Sequence, residues 1–372
     1  MRLHYRSPRG WLNDPHGVIH RADGYHVFHQ HAPETLDWGL GIEWGHAVGD
    51  DLFSLRYVGP AIQPGDGDDG IWTGCIVEDD RGPLAYYTSA RQPVLGLASV
   101  RTARPRDTAL TSWDKGDVVV TAPAGLGIRD FRDPFVLRDG DVWRMMVGSD
   151  SASGHAMMHG FVSTDGESWA YEGVALSRHR DETEGVWMGA LWECPQVIEV
   201  DGSWVMLTSV WEAGRLHYAG YAVGEFAGGR FTPRAWGRLT YGTYYAPTVF
   251  RDAAGRPCMM AWLREVRGED WTGCLSLPYE LRVDGDRLLA EPHPDLDAHA
   301  APGTAERYTW LPEGLLELTD TATLELDGDV LRLVTPSLTA ELPHDGGPVE
   351  VVLDDEVVEV RGGRGLLGGP AR

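Results

Sequence analysis

The 372-residue sequence predicts an all-β protein, a five-bladed β-propeller followed by a short C-terminal β-sandwich-like unit. Three features carry that expectation. Glycine (47), proline (23), tryptophan (15) and tyrosine (13) are plentiful, while long stretches with helical apolar spacing are hard to find. One hairpin plan recurs at near-constant intervals along most of the chain. From about residue 303 the sequence alternates apolar and polar residues in strand fashion.

The five copies of the hairpin plan are "NDPHGVIHRADGYHVFHQH", "WTGCIVEDDRGPLAYYTS", "FRDPFVLRDGDVWRMMVGS", "WECPQVIEVDGSWVMLTSVW" and "YYAPTVFRDAAGRPCMMAW". Each has a short apolar strand, an acidic or glycine turn, and a second strand rich in aromatic and apolar residues. The turn glycines Gly24, Gly82, Gly140, Gly202 and Gly255 are spaced by 58, 58, 62 and 53 residues. Such a period fits a four-stranded propeller blade with loops, slightly longer than common repeats of roughly 40–50 residues. A β-sandwich gives no reason for five evenly spaced copies of one hairpin. Five blades account for residues 1–298. Residues 299–372 then form a small, truncated β domain, with strands in "ATLELDGDVLRLV", "LTAELP" and "VEVVLDDEVVEV" and a flexible tail at "RGGRGLLGGPAR".

Composition limits the partners. Asp and Glu outnumber Lys and Arg by 56 to 32, a formal charge of −24, so phosphate backbones and anionic membranes are repelled and neither nucleic acid nor membrane is expected. No apolar run reaches the length of a membrane span, and "MRLHYRSPRG" lacks the apolar core of a signal peptide, so a cytoplasmic protein is expected. Cys75, Cys194, Cys258 and Cys274 are scattered without metal or redox spacing and read as reduced, buried thiols. His26, His29 and His31 read as packing and surface residues rather than metal ligands, and "GDGDDG" at 65–70 as an exposed acidic turn.

Aligning the hairpins places Asp14, Asp133 and Glu193 at nearly the same point of the first, third and fourth copies. Equivalent positions of different blades are related by rotation about the propeller axis, so the three carboxylates are expected to meet in one pocket. Two carboxylates flanking a glycosidic bond are the minimum for glycoside hydrolysis, and a third can bind hydroxyls. Crowded like charges raise the pKa of at least one member, while Arg132, directly before Asp133, is expected to keep that carboxylate ionised. Trp11, Trp38, Trp72, Trp192 and Tyr245 suit the apolar faces of a sugar ring.

At these residues the sequence resembles glycoside hydrolase family 32, the invertases, β-fructofuranosidases, inulinases and levanases. "WLNDPHG" is similar to the family's Trp-Met-Asn-Asp-Pro-Asn-Gly motif, "FRDP" to its Arg-Asp-Pro motif and "WECP" to its Glu-Cys motif, in the expected order. "WGHAVGDDL", "GIWTGC", "YYAPTVF" and "TGCLSLPYEL" followed by "LLAEPHPDL" add to the match. The resemblance implies a five-bladed propeller with a C-terminal β-sandwich. It implies that Asp14 is the nucleophile toward a β-fructofuranosyl unit, Glu193 the general acid and base, and Asp133 with Arg132 the holder of ring hydroxyls. Asn13, Gln30, Trp38, Trp72, Thr73, Tyr245 and Trp262 fall where the family lines the fructose subsite. Retention of configuration follows, and neither a metal nor an organic cofactor is implied.

Departures from the family pattern are His16 for Asn, Tyr241 where Asp is frequent, Thr73 for Ser and Tyr279 for Arg, and they are expected to bear on the choice of leaving group. The shortened C-terminal unit points to a monomer or weak homo-oligomer acting on short substrates. A fructosyltransferase or other furanosidase on the same scaffold, and a non-catalytic sugar-binding propeller, are the alternatives. Retention of all three acids weighs against the last of these.

Overall fold

The computed structural model describes residues 2–300 and 305–372, almost entirely as antiparallel β-sheet, with a short helix at Leu296–His299. Four successive meanders of four strands begin with Gly10–Arg21, Gly70–Asp79, Phe131–Asp139 and Leu191–Val200. A fifth runs from Tyr244–Arg251 through Pro257–Arg267, Tyr279–Asp284 and Arg287–Pro292. The first strand of each meander packs beside that of the next, and Tyr244–Arg251 returns to Gly10–Arg21. The extra strand Trp271–Leu275 pairs in parallel with Gly10 and Trp11, stitching the last meander to the first. This closed ring of sheets is a β-propeller.

The period is legible because each hairpin turn needs a backbone that residues with a Cβ avoid. Gly24, Gly82, Gly140, Gly202 and Gly255 have φ of 114°, 98°, 59°, 77° and 79°. Between meanders the apolar faces interlock. Phe28, Trp44, Ile71 and Tyr87 fill the space between the first and second. Tyr86, Val100, Phe131 and Met145 lie between the second and third. Each large side chain so buried stabilises the fold by about 1.5–3 kcal/mol. The four cysteines are free and buried. Asp68, read from sequence as part of an exposed turn, is instead buried, because it pairs with Arg101 at 2.9 Å and accepts from Tyr87 at 2.9 Å.

The C-terminal strands form two sheets. One has the order Thr240–Gly242, Gly365–Pro370, Val357–Gly362, Val349–Asp354, Glu306–Trp310; the other runs Leu315–Glu317, Thr323–Asp327, Val330–Val334, Thr339–Pro343. Both contribute to one core that includes Leu324, Leu331, Leu342, Val351, Val360 and Leu367, as in a sandwich. Residue 303, near which the sequence starts this unit, lies outside the described residues.

The expected flexible tail is corrected by the structure. Gly365–Pro370 is a strand held between Thr240–Gly242 and Val357–Gly362, with Leu366 and Leu367 fully buried. Its glycines hide the strand pattern yet are needed for close packing. A Cβ on Gly368 would come within 2.8 Å of the Tyr244 ring, and one on Gly369 within 2.5 Å of Leu338.

A buried polar clasp ties this unit to the start of the chain. The His4 ring bridges Asp354 at 2.8 Å and Glu359 at 2.7 Å, while Tyr244 (2.5 Å), Tyr279 and the Leu277 amide (2.8 Å) donate to Glu359. Burial alone would lower the His4 pKa, but the two carboxylates outweigh it and raise it to about 9. Among the described residues no helix is long and apolar enough to cross a membrane.

Candidate active site

The five first strands share one irregularity. Their pairing with the second strand slips between Asn13 and Pro15, Trp72 and Gly74, Glu193 and Gln196, and Tyr245 and Thr248, and the third meander slips opposite Met146 to Gly148. In four of the five the bulged residue precedes a proline and has positive φ: Asp14 (35°), Asp133 (63°), Cys194 (50°) and Ala246 (44°). Such a backbone costs about 1–3 kcal/mol per residue and is found where function demands it.

Two neighbouring residues in a regular strand point to opposite faces. A bulge lets both turn the same way. Asn13 with Asp14, and Arg132 with Asp133, therefore line a single cavity of about 550 Å³, and Glu193, Tyr245 and Trp72 reach it from the other strands. Glu193 is in register with Asn13, Arg132 and Tyr245, one residue ahead of the two aspartates, whose position in the fourth meander is taken by Cys194.

Hydrogen bonds fix each carboxylate. Asp14 accepts from Asn13 at 2.9 Å on one oxygen, and from Gln30 at 2.9 Å and Thr73 at 2.7 Å on the other. Asp133 accepts the Cys194 amide at 2.9 Å. The Cys194 thiol sits between the two aspartates, 3.8 Å from Asp14 and 3.6 Å from Asp133. Glu193 accepts from Arg132 through Nη2 at 2.9 Å and Nε at 3.2 Å, and its other oxygen accepts the Tyr245 hydroxyl at 2.5 Å.

This geometry corrects one expectation. The Arg132 fork is spent on Glu193 and on Asp130 at 2.6 Å, rather than on Asp133. Burial, with the charges of Glu193 and Asp14, outweighs the pull of Arg132 and raises the Asp133 carboxyl to about 7. Asp14 is raised to about 6 by burial, against the hydrogen bond from Thr73 and helped by the charge of Glu193.

Of the residues singled out from sequence, Asn13, Asp14, Gln30, Trp38, Trp72, Arg132, Asp133, Glu193, Tyr245, Trp262 and also Trp11 line the cavity. Thr73 stands behind Asp14. Trp192 does not reach the cavity; its indole is fully buried and donates to the Met188 carbonyl. Nor does any of the four departures, Thr73 included. His16 is buried against Trp44 and its Nδ1 donates to the Asp14 carbonyl at 2.8 Å, Tyr241 lies under Arg238, and Tyr279 belongs to the Glu359 clasp. His16, Tyr241 and Tyr279 thus have no direct face on the cavity, and His16 touches it only through the Asp14 backbone.

Leu95, Gly96, Asp130, Trp211, Gly214 and Leu216 complete the wall and carry no sequence motif that would have found them. The buried Gln30 Oε1 and Trp262 Nε1 have no hydrogen-bond partner and are closed off from solvent. Elsewhere Asp252, Cys258 and His293 come within 4.8 Å of one another, but Asp252 is already committed to Arg256 and His293.

Residues 4–292 match the family described as "Glycosyl hydrolases family 32 N-terminal domain". A sucrose-6-phosphate hydrolase of Escherichia coli is 30% identical over 313 residues, covering 78% of this chain and 64% of that enzyme. A levanase of Bacillus subtilis is 27% identical over 345 residues, covering 82% of this chain and 48% of the levanase. The chain thus spans less than two thirds of the length of these relatives. Among solved structures, a β-fructofuranosidase of Bombyx mori superposes with a TM-score of 0.83 at 20% identity, over 100% of this chain and 88% of that one. A sucrose-6-phosphate hydrolase of Lactobacillus gasseri gives 0.81 at 19% identity, again over 100% and 88%. These likenesses carry the fold. The match across residues 4–292 carries the family, and the chain belongs to glycosyl hydrolases family 32.

Proposed function

We propose that the protein is a retaining glycosidase that releases terminal β-D-fructofuranosyl units from sucrose or short fructo-oligosaccharides. The observation that carries this reading is the meeting of Asp14, Asp133 and Glu193, from three different meanders, in one cavity walled by tryptophans. In the first step an Asp14 oxygen attacks the anomeric carbon while the bond to the leaving-group oxygen breaks and Glu193 delivers a proton to that oxygen. With its pKa at about 6, Asp14 is mostly ionised at neutral pH, as a nucleophile must be. In the second step Glu193 takes a proton from water, whose oxygen displaces Asp14. Two inversions restore the starting configuration.

Asp133 holds ring hydroxyls, with Asn13, Gln30 and Trp262 lining the same cavity. Tyr245 and Arg132 hold the Glu193 carboxyl in place from either side. Residues 1–298 are the catalytic unit in this reading, and the mechanism calls on no cofactor.

Product analysis of the purified protein with sucrose, kestose, inulin and levan tests the proposal. Free fructose is expected from at least one of them, with Asp14→Ala and Glu193→Ala each about a thousandfold slower or worse and still folded. Undiminished release by Asp14→Ala would overturn the assigned nucleophile, and fructosylated products in place of fructose would make the protein a transferase.

A further inference from the structure

The relatives include enzymes named for a phosphorylated substrate, so the charge around the cavity decides a question their names leave open. A phosphoryl group carries close to two negative charges at neutral pH and is held in proteins by guanidinium, ammonium or unpaired backbone N–H groups. Four lining residues are acids, Asp14, Asp130, Asp133 and Glu193, and Arg132 is the single cation among the lining residues. That cation is already matched by two carboxylates, since three of its five N–H donors go to Asp130 and Glu193. Arg264 lies behind the Tyr245 ring, 5.3 Å from its centroid, with its donors spent on the carbonyls of Leu216 and Thr243. Arg180 is paired with Glu212 at 2.9 Å. Arg215 follows Gly214 on the rim, but strand alternation puts it on the face opposite the lining residue Leu216.

The mouth of the cavity is apolar as well. Trp38 and Leu95 line it, from loops 33–42 and 91–98. The same two loops carry Leu36, Leu40, Val94 and Leu97, which with Trp38 make up half of the exposed large apolar side chains among the described residues. Exposed apolar side chains on these loops suit the carbon faces of an uncharged sugar, and the loops' one cation, Arg91, faces the buried Asp68 at 3.9 Å, while Glu34 and Asp37 add two acids.

We propose that the site acts on uncharged fructosides and discriminates against phosphorylated ones, by an acidic cavity whose only arginine is already paired and by an apolar mouth. This rests on the fructosidase reading above. The overall charge of −24 adds a repulsive field at longer range.

The test compares kcat/KM for sucrose and kestose with that for sucrose 6-phosphate, following fructose release at low salt and at about 0.5 M salt. The better neutral substrate is expected to exceed the phosphorylated one by about tenfold or more, with the gap narrowing as salt screens the acids. A Leu95→Arg variant, placing a free guanidinium at the mouth, is expected to narrow the gap further by improving the phosphorylated substrate. Equal or faster cleavage of sucrose 6-phosphate by the unaltered protein would overturn the discrimination and leave the fructosidase standing. No fructose from any of the three would overturn the fructosidase reading itself, and this inference with it.

Discussion

Asp133→Asn puts the electrostatics of the cavity to the test, because it is expected to harm turnover and strengthen the fold together. The Asp133 carboxyl is raised from its ordinary 3.8 to about 7 in the folded protein. The native state then binds a proton that the unfolded chain has already released between those values, so stability falls as pH rises through that window. The penalty is absent below about pH 3.8 and complete above about pH 7. At ~1.4 kcal/mol per pH unit, it amounts to about 4 kcal/mol at pH 8, an upper bound because Asp14 can take up part of it by protonating. Asparagine keeps the shape and can still accept the Cys194 amide, so the variant should recover most of that energy. Thermal unfolding at pH 8 should show Asp133→Asn melting several degrees above the parent, with the two converging near pH 4. A lower Tm at pH 8, or a gain of the same size at both pH values, would refute the account of a carboxylate held against its own preference.

Two further outcomes follow from particular contacts. Tyr245→Phe removes the hydroxyl that donates to Glu193 at 2.5 Å and should lower kcat by about 10–100-fold with KM and Tm little changed; an unchanged kcat would mean that Glu193 does not need that support. The His4 ring, raised from 6.5 to about 9, contributes stability that is fully present below about pH 6.5 and lost as pH rises through about 9, worth about 3 kcal/mol. The parent's Tm should fall between pH 7 and 10 more steeply than that of His4→Leu, which starts lower, and parallel curves would count against a charged clasp.

How far the sequence reveals this molecule depends on which physical constraint left a mark in residue type. The hairpins are visible because their turns demand glycine at positive φ, so Gly24 to Gly255 mark out the ring directly. The three acids are visible because each stands at or beside an Asp-Pro or Cys-Pro pair. What the alignment blurs is the one-residue offset of Glu193, which only the bulge geometry explains. Asp130, Trp211 and Leu216 enter the cavity from rims and loops, where tertiary closure rather than local pattern chooses the contact. The closing strand is missed because Gly368 and Gly369 satisfy it by lacking side chains, which removes the alternation that identifies strands. The partner of Arg132 is missed because adjacency in sequence says little about which carboxylate a guanidinium can reach.

The bulges on the first strands divide the molecule's labour in a way that bears on how it can change. Asn13-Asp14, Trp72-Thr73, Arg132-Asp133, Glu193-Cys194 and Tyr245-Ala246 act as five two-letter words, each set into a sheet whose register is fixed on either side by ordinary pairing. Rewriting one word alters what faces the cavity while leaving the turn glycines and the interlocked aromatic layers untouched. Chemistry and scaffold can thus be edited separately, and a new specificity can arise from a change of two residues without the refolding of a single strand.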